Sequence, residues 1–69
     1  MHAQDFLTWM ARCDLKTARQ VEAALGLGRN AAARYVAAAK AGQDVDLPRY
    51  MGLAMAAVAQ GLKPWDEAS

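Results

Sequence analysis

The stretch TARQVEAALGLGRNAAARYV, residues 17–36, sets two helical patterns almost back to back, with only Gly26-Leu27-Gly28 between them. Thr17-Ala18-Arg19-Gln20 fits a capping box: the Thr17 hydroxyl accepts from the Gln20 amide while the Gln20 side chain reaches back to the cap. Ala18, Val21 and Leu25 then fall on one inward face. Gly26 stops the helix, because the residue after a helix commonly adopts a left-handed conformation that glycine reaches without penalty. A second helix opens near Gly28 or Arg29 and runs to about Ala41, where Gly42 ends it. Its inward stripe is Ala32, Tyr35, Val36 and Ala39, and its outward stripe is Asn30, Ala33, Arg34 and Ala37.

Outward from this pair, the pattern predicts one helix on each side. Over about 5–13, Phe6, Trp9, Met10 and Cys13 recur at spacings of three and four, with Asp5 as the N-cap. After the polar connection Gly42-Gln43-Asp44-Val45-Asp46, Pro48 suits a first helical turn, capped by Asp46 or Leu47. That helix extends over about 48–60 to Gly61, and residues 63–69 form a short tail. The expected fold is therefore all-α: a four-helix single domain, with helices near 5–13, 18–25, 29–41 and 48–60 and no strand.

Sixty-nine residues bound the possibilities. A chain of this size buries only about 60% of the surface its unfolded form exposes, so added support is expected. Cys13 is the sole cysteine, which excludes an internal disulfide and suits a reducing cytoplasm. His2, the sole histidine, lies in a terminus expected to fray, so no His/Cys set is expected to hold a metal. Self-association is the remaining supplement. At 55% hydrophobic and 22% charged, the composition is that of a folded chain. No apolar run approaches a membrane span, and MHAQDF lacks the features of a signal peptide, so a cytoplasmic location is expected. Without clustered acids, an active-site histidine or a nucleotide-binding glycine loop, neither an enzyme nor a cofactor is expected.

The net charge of +1 conceals an asymmetry. From Arg12 to Lys40, six bases (Arg12, Lys16, Arg19, Arg29, Arg34, Lys40) face two acids (Asp14, Glu22), leaving +4; the remainder of the chain carries −3. A solvated helix surface can carry such a balance, but it also suits a polyanion facing the middle of the chain.

Two helices joined by a glycine-containing turn of three or four residues form a helix-turn-helix. In such a unit the second helix enters the major groove, and its N-terminal side chains meet base edges. Arginine and asparagine are the bidentate partners of guanine and adenine. Arg29, Asn30, Ala33 and Arg34 are thus expected at the bases, with Lys16, Thr17, Arg19, Tyr35 and Lys40 at phosphates. Each has a plainer alternative: Arg29 and Asn30 as solvated first-turn residues, the alanines as helix formers, Tyr35 as a core ring. Arg12 adds only to the general field.

The last helix carries a separate signal. In YMGLAMAAVAQ almost every position is apolar or small, and an ordinary surface helix shows one apolar stripe and a polar back. Tyr50, Met51, Leu53, Met55 and Val58 cannot all face one small core. With Trp65, they are expected to form a two-fold dimer interface; Trp65 alternatively folds back on its own chain.

The segment VEAALGLGRNAAARYV resembles the helix-turn-helix of small phage repressors of the Cro and C1 type, and most nearly the compact regulators that accompany anti-CRISPR genes. Leu25, Gly26, Leu27 and Arg29 occupy the hydrophobic, turn-glycine, hydrophobic and recognition-helix positions of that pattern. Glu22 falls where the family usually carries a small alanine, unless a shift of one residue brings Ala23 there. Ala32 replaces the usual Val or Ile, leaving volume for Tyr35 or Trp9. The resemblance spans about residues 5–62. It implies a homodimeric repressor of an inverted-repeat operator, controlling its own operon. The alternative is a helical protein-interaction module (an anti-activator, a polymerase-binding factor or an antitoxin) working through the apolar last helix.

Overall fold

The computed structural model describes residues 1–65, and within them the chain forms four helices and no strand: α1 (Ala3–Arg12), α2 (Ala18–Leu25), α3 (Arg29–Lys40) and α4 (Arg49–Ala59). Of the tail expected over 63–69, residues 66–69 lie outside the described residues. No described helix is long and apolar enough to cross a membrane.

Helix α1 starts two residues earlier than the periodicity suggested. His2 occupies the N-cap position without a side-chain hydrogen bond, and Asp5 sits in the first turn. There its carboxylate complements the positive end of the helix dipole instead of capping it. Helix α2 forms as the capping box requires. Gln20 N donates to Thr17 Oγ1 at 3.2 Å, and Gln20 Oε1 accepts from the Thr17 and Lys16 amides. Pro48 holds the N-cap position of α4, so that helix begins at Arg49; neither Asp46 nor Leu47 caps it.

All four helices close in the same way. In α2 the Leu27 amide reaches back to the Glu22 carbonyl at 3.0 Å while Gly26 takes φ +67°. Equivalent bonds run from Leu15 to Met10, Gln43 to Ala38 and Leu62 to Ala57. This six-to-one closure needs a left-handed residue just after the helix. Glycine supplies it three times, and after α1 it is Asp14, at φ +57°.

The core gathers Phe6, Trp9 and Met10 from α1, Val21 from α2, Ala32, Val36 and Ala39 from α3, and Met55 from α4. Phe6 lies 5.6 Å from Trp9 and 6.4 Å from Tyr35, ring centroid to ring centroid, so aromatic volume surrounds the small Ala32. Trp9 ties α1 to α4: its Nε1 donates to the Met55 carbonyl at 2.8 Å, satisfying a buried donor. Cys13, expected in the apolar stripe of α1, follows the helix and is half-buried.

The connection after α3 contributes more than its polarity suggested. Val45 is buried, and its backbone exchanges two hydrogen bonds with Met1: Val45 N to Met1 O at 2.8 Å, and the Met1 amino group to Val45 O at 3.0 Å. The N-terminal segment expected to fray is held by this pairing, and His2 Nδ1 lies 3.4 Å from Asp44 Oδ1. Sequence periodicity reports local faces, and a pairing between residues 44 apart leaves no periodic trace.

Helix α4 resolves its own ambiguity. Met51 and Met55, expected at a dimer surface, are buried within the chain, and Val58 is half-buried against the core. An apolar stripe at spacings of three and four faces inward, as on any packed helix. Tyr50 (70% exposed) and Leu53 (61% exposed) remain outside, together with Trp65, which at 94% exposed does not fold back on the body.

Candidate nucleic-acid interface

The residues expected at a nucleic acid lie along and beside the contact of α2 with α3. At roughly 100° per residue, Asn30, Ala33, Arg34 and Ala37 span about a quarter-turn of α3, while Ala32, Val36 and Ala39 lie on the opposite side. All four outward residues are exposed, and the three inward ones are buried. A helix with methyl groups between an amide and a guanidinium presents a low, polar-edged ridge. Its core stripe is alanine and valine because α3 must approach α1 and α2 closely.

Arg29 stands apart from that ridge. It is the first residue of α3, about 100° round from Asn30 on the flank toward α2. There it borders a hollow of about 220 Å³ lined also by Ala18, Arg19, Glu22 and Ala33. The alanines keep the hollow open. Ala23 is exposed, so it is Glu22 that occupies the place where the resemblance has a small residue.

Beyond that seam, Lys16 and Lys40 border a second hollow, with Leu7, Met10, Ala11, Asp14 and Leu15 around it. It lies between the second half of α1 with its following turn and the last residue of α3, which is how Lys40, 24 residues after Lys16 in the chain, comes to share a rim with it. Sequence spacing could not show this.

The start of α2 is built to offer hydrogen-bond donors. Thr17 Oγ1 is committed as an acceptor to Gln20 N, which leaves its hydroxyl proton free. Gln20 Oε1 holds the two amides just before the helix, leaving its own NH2 group free. The Ala18 and Arg19 amides, at the first two helical positions, lack intrahelical acceptors by geometry. Such a helix end, with Lys16 and Arg19 exposed beside it, favours an anion.

Of the expected site residues, the structure brings Arg19, Arg29 and Ala33 to one hollow and Lys16 and Lys40 to another, while Thr17, Asn30 and Arg34 are exposed. Tyr35 is half-buried: its ring lies edge-on to Phe6 on the core side of α3, and the rest of its surface stays accessible. Glu22 is the member that the initial site reading left out; its spacing of three from Arg19 was the available signal. No group of three or more potential metal ligands occurs among the described residues. In comparisons with protein families, curated proteins and solved structures, the chain matches none.

Proposed function

We propose that the chain is a sequence-specific DNA-binding regulator that acts as a homodimer on an inverted repeat, and that it represses transcription, including that of its own operon. One observation carries the reading: Arg19 and Arg29 border one hollow between α2 and α3, Lys16 and Lys40 border another beside the end of α3, and Asn30, Ala33, Arg34 and Ala37 form an exposed ridge on α3. The α2 and α3 segments contain a single acid, Glu22.

Each part has a role in that function. The α3 ridge enters the major groove, with Asn30 and Arg34 directed at base edges and Arg29 at the groove entrance. Ala33 and Ala37 admit close approach and offer methyls to thymine. Lys16, Thr17, Arg19 and the free amides of α2 hold one phosphate strand, with Lys40 beside Lys16. A two-fold pair sets two such ridges about 34–36 Å apart, matching the symmetry of a palindromic site. Tyr50, Leu53 and Trp65 supply the exposed apolar surface for pairing.

The test is a footprint and titration of the purified protein on the DNA upstream of its own gene. Protection of an inverted repeat is expected, with affinity falling by a slope of about 0.9 in log K per log salt for each phosphate contact. Arg29→Ala and Asn30→Ala should each weaken specific binding by about 1–3 kcal/mol. Equal binding of both variants and the parent protein to the protected site would count against the reading.

A second reading rests on the same exposed side of α4. As a protein-interaction module, the chain would use Tyr50, Leu53 and Trp65 on a different protein, with the basic seam idle. Leu53→Asp would then remove function, and Arg29→Ala would leave it intact.

A further inference from the structure

The hollow between α2 and the first turn of α3 has an uneven charge. Arg19 and Arg29 border it, both exposed, and the half-buried Glu22 stands with them over a floor containing Ala18 and Ala33. Among the described residues no ion pair joins Glu22 to either arginine within 4.0 Å. The carboxylate shares the hollow with the two guanidiniums and is paired with neither. A face meant only to hold phosphate gains nothing from a carboxylate among its bases, since the charge repels the backbone it approaches.

We propose that Glu22 is the discrimination residue of this interface, an inference that rests on the DNA-binding reading. Two arginines flanking an alanine-floored hollow can both swing onto phosphate oxygens, which bind any sequence alike. A carboxylate lining the same hollow competes with phosphate for those guanidiniums. It holds Arg29 back from the backbone, so that the side chain is released toward a base edge only where a guanine offers two acceptors. Glu22 acts as a positioning residue through Arg29. It lowers affinity for all DNA and lowers it most for the wrong DNA.

The test is a charge series at one position: Glu22→Asp, Glu22→Gln and Glu22→Lys, with unchanged thermal melting as the check on folding. The probes are a random-sequence duplex pool and the duplex that the parent protein enriches from that pool, titrated by fluorescence anisotropy across a range of salt. Glu22→Gln should tighten binding to the random pool about threefold, the effect of one charge at roughly 6 Å in water. It should also steepen the salt slope on that pool by about 0.9, one added phosphate contact, and lower the preference for the enriched duplex by a similar factor. Glu22→Lys should go further in the same direction, and Glu22→Asp should stay with the parent. Random-pool affinity and slope that ignore the charge series would overturn the proposal while leaving the DNA-binding reading standing. So would a uniform loss on both probes. If the parent protein enriches no duplex at all, both readings fail together.

Discussion

The same substitution, glycine to alanine, should have opposite effects at positions 26 and 52. At neither position would an added Cβ meet any atom within 4 Å, so steric overlap contributes nothing and only backbone energetics remain. Gly26 holds φ +67° after α2, where an L side chain costs about 1–2 kcal/mol. Alanine returns about 0.4–1 kcal/mol by restricting the unfolded chain. The net loss is about 1 kcal/mol. Gly52 lies inside α4, where alanine is favoured over glycine by about 0.8–1 kcal/mol. A chain of 69 residues unfolds with roughly 145 cal/mol/K, at about 2.1 cal/mol/K per residue, so 1 kcal/mol moves the midpoint by about 7 °C. Gly26→Ala should therefore melt about 7 °C below the parent and Gly52→Ala about 6 °C above it. Circular dichroism at matched protein concentration reads both. Asp14→Gly, which relieves the one left-handed residue that is not glycine among the described residues, should move with Gly52→Ala. A Gly26→Ala protein as stable as the parent would refute the left-handed corner. A destabilised Gly52→Ala protein would mean that this face of α4 is closely covered.

Two further outcomes follow from the packing. Trp9→Phe keeps most of the ring but removes the donor to the Met55 carbonyl, and should cost about 1–2 kcal/mol in denaturant titration, with α1 and α4 losing their direct tie. Leu53→Asp, on an exposed position, should leave the melting of the isolated subunit near that of the parent; under the proposed pairing through α4 it should also convert the sedimenting species at micromolar concentration from dimer to monomer, and a dimer that persists would move the pairing surface away from α4.

The all-helical fold and the exposed and buried sides of α3 were legible in the residues alone. Three of the four helix ends carry glycine, α2 carries its own capping box, and α3 separates buried from exposed positions at helical spacing. These are local signals, each decided within five or six residues, and the bounds they give for α2 and α3 agree with the observed ones to within a residue at either end. Asn30, Ala33 and Arg34 could be grouped because one helix carries them all.

What required the tertiary structure lies across elements. The backbone exchange between Met1 and Val45, the sharing of one hollow by Lys16 and Lys40 and of another by Glu22, Arg19 and Arg29 depend on how helices pack, and packing is set by side chains distant in the chain. Helix α4 makes the same point in reverse. Its composition is apolar nearly all round, so pattern alone could not sort Met51 and Met55 from Tyr50 and Leu53. The direction from which α1 and α2 approach that helix decides which side is covered, and a local sequence pattern does not carry that direction.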